Sequence, residues 1–167
     1  VIYSTVGEKW MRPHIYRWLQ NSWDHIRIEM WRVDMCAFRF APRIKREQRR
    51  AIDSVAIELK TSRVNEAIPQ AINNYPHFHQ SYVCFPAKRF ESLAERAEYP
   101  CRATGVGILT VDEDGSVSEV VPYSPKQAQE FGGYLTRFND RWAQTIHRSW
   151  LRTKNIPIEF PVISGGG

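Results

Sequence analysis

The stretch AIDSVAIELKTSR, near the middle of the chain, alternates between apolar and other residues. Val55, Ile57 and Leu59 stand two residues apart, which is the period of a β-strand with one face against a core. Glu58 and Lys60 fall on the opposite face of that strand, because successive side chains point to opposite sides. The pattern therefore predicts a buried strand that carries an acid and a base on one face.

The remaining patterns predict helices and strands in alternation. A helix opens the chain and two adjoining strands follow it; after the central strand come a helix, a short strand, a second helix, a β-hairpin and a C-terminal helical region. In chain order these elements are expected near residues 4–23, 25–30, 31–40, 54–61, 65–75, 81–87, 88–99, 104–123 and 124–154. This order favours an α/β fold in which helices flank a mixed central sheet.

Proline and glycine positions refine this outline. Pro13 either kinks the first helix or marks a late start for it. Pro69 is expected in the first turn of its helix, since an interior proline removes a backbone hydrogen bond. Gly132 and Gly133 are expected to break the C-terminal region into two helices.

The composition is that of a single globular domain. Hydrophobic residues make up 43% and charged residues 25% of the 167 residues, which is enough for one buried core. No apolar run approaches the roughly 20 residues needed to cross a bilayer, and no signal-peptide pattern opens the chain. We expect a core at 1–123, a helical extension of the same domain at 124–160 and a flexible tail at 161–167. The first residue, Val1, and the closing SGGG suggest a trimmed chain or a piece of a larger protein.

Three widely spaced cysteines, Cys36, Cys84 and Cys101, fit neither a zinc site nor a disulfide framework. Cys36 and Cys84 stand in apolar, strand-like runs. We therefore expect buried thiols and a reducing, cytoplasmic location.

Positive charge is concentrated in a few segments. The formal net charge is +5, and the run RIKREQRR contributes Arg43, Lys45, Arg46, Arg49 and Arg50. Such a cluster can neutralise nucleic-acid phosphates, and a solvated loop or helix face explains it equally well. A second set at helical spacing comprises Arg137, Arg141, Arg148 and Arg152.

Asp34 lies in the strand-like run RVDMCAF that precedes the central strand. If the two strands pair, Asp34 and Glu58 can converge on a hard cation such as Mg²⁺, which two carboxylates, water and phosphate oxygens commonly hold. Lys60 would then polarise a water or offset charge on a phosphate. The competing interpretation is a salt bridge, from Glu58 to Lys60 or from Asp34 to an arginine such as Arg32.

This ordered pattern of Asp34, the triplet Glu58-Leu59-Lys60 and a following helix resembles the PD-(D/E)XK nuclease superfamily. The resemblance covers roughly residues 5–123 and implies a restriction-endonuclease-like fold. It also implies that Asp34 and Glu58 bind Mg²⁺ or Mn²⁺ and that Lys60 activates water.

Three further residues are placed by the same resemblance. Glu8, in the first helix, is a further metal-ligand candidate, although a helix-capping role competes for it, since Thr5 stands three residues earlier. Gln70 is similar to the glutamine of the Gln-x-x-x-Tyr motif in the exonuclease-like branch and is expected to orient the site or to contact the nucleic-acid backbone. Tyr75 comes one residue later than that motif requires.

Asp53 is the alternative acid. It stands five residues before Glu58, near the start of the strand, so we expect it to lie far from Glu58. We prefer Asp34 and assign Asp53 to a turn or a strand entry.

The leading hypothesis is a Mg²⁺- or Mn²⁺-dependent deoxyribonuclease that takes DNA as its partner and does not act at a membrane. The alternatives are a catalytically inactive nucleic-acid-binding or assembly module on the same fold and an RNA-directed nuclease. Endonucleolytic or exonucleolytic action and self-association are left open by the sequence.

Overall fold

The computed structural model describes residues 7–30, 32–42, 51–132, 148 and 152. Within them, a mixed sheet of six strands is flanked by helices, which confirms the predicted α/β class. The elements, in chain order, are a 3₁₀ turn Lys9–Met11, α1 Arg12–Gln20, β1 His25–Met30, β2 Val33–Phe40, β3 Ala51–Leu59, α2 Val64–Asn73, β4 Gln80–Pro86, α3 Ala87–Thr104, β5 Gly107–Val111, β6 Val117–Val121 and α4 Pro125–Phe131.

The strands lie in the sheet in the same order as in the chain. β1, β2 and β3 pair in antiparallel fashion, β3, β4 and β5 pair in parallel, and β6 returns antiparallel to β5. Each parallel pair needs a crossover connection, which α2 and α3 supply. Because β2 and β3 are antiparallel, the end of β3 and the start of β2 meet at one end of the strands. Asp34 and Glu58 both lie at that end.

Hydrophobic clusters cover both faces of the sheet. On one face, α1 packs Ile15 and Leu19 against a cluster that includes Ile57 and Leu59 of β3. On the other face, α2 and α3 pack against β4, β5 and β6. Leu59 therefore points toward α1, as the alternation predicts, and Glu58 points toward the side covered by α2.

The first helix starts late. A 3₁₀ turn precedes α1, and Pro13 occupies the first turn of that helix, where the missing proline N–H has no intrahelical partner to lose. The late-start interpretation of Pro13 is therefore correct, and the helix needs no kink.

The expectation for Pro69 is wrong, because this proline lies in the interior of α2. Its ring removes the bond that would reach the carbonyl of Asn65. Both Pro69 and Asn65 are exposed, so water can satisfy that carbonyl. The buried face of α2, with Ala67 and Ala71 fully covered, stabilises the helix despite the missing bond.

The C-terminal region is described only in part. α4 ends at Phe131, and Gly132 caps it in the left-handed conformation with φ of 98°, as the predicted break requires. Arg148 and Arg152 are helical and exposed. The rest of the predicted extension and the tail at 161–167 lie outside the described residues.

Cys36, Cys84 and Cys101 are free and buried, and burial was predicted for Cys36 and Cys84. Burial raises the pKa of the Cys101 thiol to about 12, which keeps this thiol protonated and unreactive. Among the described helices, none is both long and apolar enough to span a membrane.

Candidate functional site

Asp34 is attached to the neighbouring strand by its side chain. Met35 pairs with Ile57 in the antiparallel ladder of β2 and β3, and one further step of this register sets Asp34 opposite Glu58. At that step the carboxylate of Asp34 takes the place of a backbone acceptor, since its Oδ2 accepts a 2.8 Å hydrogen bond from the N–H of Leu59. The Asp34 carboxylate is therefore fixed beside the end of β3.

The Glu58 side chain is buried, with 3% of its surface exposed. Its Oε1 accepts a 3.0 Å hydrogen bond from Nδ2 of Asn74. The pKa of Glu58 is raised to about 7, chiefly by burial and in addition by the Asp34 carboxylate, against the opposing effects of Asn74 and Lys60. The two acids that the sequence pattern singles out are thus neighbours across the β2–β3 ladder.

Lys60 completes the predicted group. It follows β3, is partly buried, and donates its backbone N–H to the carbonyl of Cys84 at 3.0 Å, which continues the parallel ladder by one residue. Its ammonium is close enough to lower the pKa of Glu58. Of the ion pairs among the described residues, none joins Lys60 to Glu58 or Asp34.

Each carboxyl group uses one oxygen on a protein donor, Oδ2 of Asp34 and Oε1 of Glu58. Among the described contacts the second oxygen of each meets no protein donor, and a cation bound there would offset the cost of burying the Glu58 charge. A carboxylate pair of this kind suits Mg²⁺ or Mn²⁺, which favour oxygen ligands and retain several waters.

Within the described parts of the chain, no group of three or more His, Cys, Asp or Glu side chains is arranged to hold a metal. Glu8 is half-buried at the start of the 3₁₀ turn and forms no side-chain capping bond. The contacts therefore do not bring Glu8 to Asp34 and Glu58 as a third ligand. Within the described residues, the carboxyl groups of Asp34 and Glu58 are therefore the oxygen ligands that a cation would find at this position.

Gln70 lies on the exposed side of α2, and none of the described hydrogen bonds links its amide to the carboxylate pair. Asn74, one helical turn later, makes the contact with Glu58 instead. The sequence holds one signal for this residue. Asn74 continues the buried stripe of Ala67 and Ala71, and a polar amide on such a stripe needs a partner.

Tyr75 belongs to the core rather than to the site. It is buried in the cluster between α2 and α3, and its hydroxyl donates to the carbonyl of Thr104. Burial raises the pKa of this hydroxyl well above its usual value. The one-residue departure from the Gln-x-x-x-Tyr spacing is therefore matched by a structural role for Tyr75.

Asp53 lies on the other face and at the other end of β3. It pairs with Arg39 at 3.6 Å and accepts a 3.2 Å hydrogen bond from Gln80. Five residues of strand separate it from Glu58 by about 16 Å. Asp53 can therefore not join Glu58 at a common cation.

A cleft of about 940 Å³ opens at the same end of the strands. Thr61, next to Lys60, lines it together with the start of α3 and the turn between β5 and β6. The charged residues that line it are Lys88, Arg89, Glu91, Asp112, Glu113 and Asp114. The cleft is thus of mixed charge. The basic residues predicted to contact nucleic acid, Arg43, Lys45, Arg46, Arg49 and Arg50, lie outside the described residues.

Comparisons with protein-family models, with curated proteins and with solved structures find no match to this chain. The chemistry of this chain is therefore inferred from the arrangement of Asp34, Glu58, Lys60 and Asn74.

Proposed function

We propose that this chain is a metal-dependent nuclease of the PD-(D/E)XK type that hydrolyses DNA phosphodiester bonds. The observation that carries the proposal is the placement of Asp34 opposite Glu58 across the β2–β3 ladder, with Lys60 at the end of the same strand. Two acids placed side by side do not form an ion pair with each other, and the Asp34 carboxylate raises the pKa of Glu58.

The order of the elements supports the same proposal. Asp34 stands in β2, the Glu58-Leu59-Lys60 triplet ends the neighbouring antiparallel strand, and a crossover helix follows. The resemblance depends on this arrangement of an acid, a Glu-x-Lys strand end and a helix. We also propose that the whole fold is restriction-endonuclease-like.

In the proposed mechanism, each residue has a separate role. Asp34, held by the N–H of Leu59, and Glu58, held by Asn74, supply the two carboxylates for Mg²⁺ or Mn²⁺. When bound, such a cation acts as a Lewis acid on a phosphate oxygen and lowers the pKa of a water. Lys60 donates hydrogen bonds to the attacking water or to the phosphate as its charge develops.

The net charge of +5 favours a polyanionic substrate. The basic run at 43–50 and the exposed Arg148 and Arg152 are the proposed phosphate contacts. Such contacts position the backbone and carry no sequence information, so the proposal names a substrate class and no recognition sequence.

A cleavage assay tests the proposal. Labelled single-stranded DNA, double-stranded DNA and RNA are incubated with the protein in Mg²⁺, in Mn²⁺ and in EDTA. The expected result is metal-dependent cleavage of DNA that falls by about 100-fold or more in Lys60→Ala. Lys126→Ala, which removes an exposed lysine on α4, serves as the matched control and should cleave normally.

The other outcomes separate the alternatives. DNA binding without cleavage in either metal would favour an inactive nucleic-acid-binding or assembly module. Cleavage of RNA alone would favour an RNA-directed nuclease. Cleavage that persists in Lys60→Ala would remove Lys60 from the mechanism.

A further inference from the structure

We infer that Asn74 is a positioning residue of this site, whose side-chain amide sets the orientation in which Glu58 meets a divalent cation. The inference rests on the proposed function, because it concerns the same carboxylate pair. It adds a residue that the motif does not contain. It also gives Asn74 the orienting role that the sequence resemblance assigns to Gln70.

The backbone around Asn74 is held on both sides. Its N–H donates to the carbonyl of Ala71 at 3.2 Å, and its own carbonyl accepts from the N–H groups of His77 and Phe78, both at 3.0 Å. The side chain is 3% exposed. The amide therefore has little freedom, and a group that orients another must itself be fixed.

The contact with Glu58 is specific to one oxygen. Nδ2 of Asn74 donates to Oε1 at 3.0 Å, which selects one rotamer of a long side chain and leaves Oε2 for another partner. A neutral amide gives this orientation without adding a positive charge. A lysine or arginine in its place would compete with the cation for Glu58, whereas an amide does not.

The neighbouring residues provide controls for this role. Asn73 is the adjacent residue in the chain, carries the same side chain and is exposed. Gln70, one turn earlier on α2, is also exposed. Asn73 and Asn74 thus carry the same side chain but differ in burial and in contact with Glu58.

Nuclear magnetic resonance of the ¹⁵N-labelled protein during a Mg²⁺ titration tests the inference. The backbone N–H of Leu59 reports on metal binding, because it donates to the Asp34 carboxylate. We expect the side-chain amide signals of Asn74, assigned by their loss in Asn74→Leu, to shift and saturate together with the Leu59 signal. The Asn73 side-chain signals should stay in place.

The same titration on variants gives the second readout. Asn74→Leu should weaken Mg²⁺ binding by about 10- to 100-fold, and Asn73→Leu should leave it unchanged. Unchanged affinity in a folded Asn74→Leu protein would overturn the inference. If that variant does not fold, the wild-type spectra decide: Asn74 signals that stay in place while Leu59 shifts overturn it.

Failure of the proposed function has a different signature. In that case the wild-type protein shows no saturable Mg²⁺ shift at Leu59, whatever residue occupies position 74. The inference about Asn74 then falls with the metal site itself.

Discussion

The carboxylate of Asp34 in β2 accepts a 2.8 Å hydrogen bond from the backbone N–H of Leu59 in β3. This single bond fastens the acid of one strand to the end of the next and sets it beside Glu58. It also means that Asp34 has a structural task in addition to the proposed catalytic one, and the two tasks can be separated by mutation.

Asp34→Asn and Asp34→Ala should differ in stability although both abolish metal binding. The amide oxygen of asparagine can still accept from Leu59, whereas alanine leaves a buried N–H without a partner. We expect Asp34→Ala to be less stable than Asp34→Asn by about 1–3 kcal/mol, measured by urea unfolding in EDTA. Equal stability of the two variants would show that the bond to Leu59 does not support the strand end.

The stability of the metal-free protein should depend on pH through Glu58. Its pKa is about 7 in the folded protein and near 4.5 when the chain is unfolded. The folded state therefore retains a proton that the unfolded state releases. This contribution is fully present below pH 4.5 and is lost as the pH rises to about 7, a change on the order of 3 kcal/mol.

Glu58→Gln removes this contribution and provides the comparison. Burial lowers the pKa of His25 to about 4. His25 therefore titrates in an overlapping pH range, and its contribution to stability is lost as the pH falls, which is the opposite pH dependence. The informative quantity is therefore the difference between wild type and Glu58→Gln in unfolding free energy, measured from pH 4 to pH 8 in EDTA. A difference that does not change with pH would contradict the raised pKa.

Tyr75→Phe should lower stability without affecting metal binding or cleavage. The variant loses the bond from the Tyr75 hydroxyl to the Thr104 carbonyl, which is worth about 1 kcal/mol. Thermal unfolding and the cleavage assay measure the two effects separately. Tyr99→Phe, at a position 79% exposed, is the matched control. A large loss of cleavage in a stable Tyr75→Phe protein would indicate that the Tyr75 hydroxyl takes part in cleavage.

Pro69→Ala should stabilise the protein. Alanine supplies the N–H that proline lacks in the interior of α2 and has a much higher helix propensity. We expect a gain of about 1–3 kcal/mol in unfolding free energy, with Mg²⁺ affinity unchanged. A loss of stability would indicate that the proline fits a local bend that alanine cannot maintain.

The strand alternation was sufficient to predict the centre of the fold and of the candidate site. The period of two around Leu59 sets that residue into the core and Glu58 on the opposite face. Antiparallel pairing of adjacent strands then brings Asp34 to Glu58, because hairpin neighbours usually pair. Asp53 could be excluded as a partner of Glu58 at a cation, because strand geometry places the two residues too far apart along β3.

The role of Asn74 could not be predicted in this way. It depends on how α2 lies across the sheet after its crossover. Periodicity within one element does not define the distance between the end of α2 and Glu58 in β3. The interior Pro69 was missed for a related reason, since burial of one helix face can outweigh an unfavourable local preference. The local pattern predicts the face of an element on which each residue lies and the order of the elements. Contacts between elements decide which polar side chain meets Glu58.

The most direct test of the central claim is calorimetric titration of the metal-free protein with Mn²⁺. The carboxylate pair predicts saturable binding that is lost in Asp34→Asn and retained in Asp53→Asn, which removes an acid of the same strand pair at the opposite end. Absence of binding to the wild type, or equal binding to both variants, would contradict a metal site formed by Asp34 and Glu58.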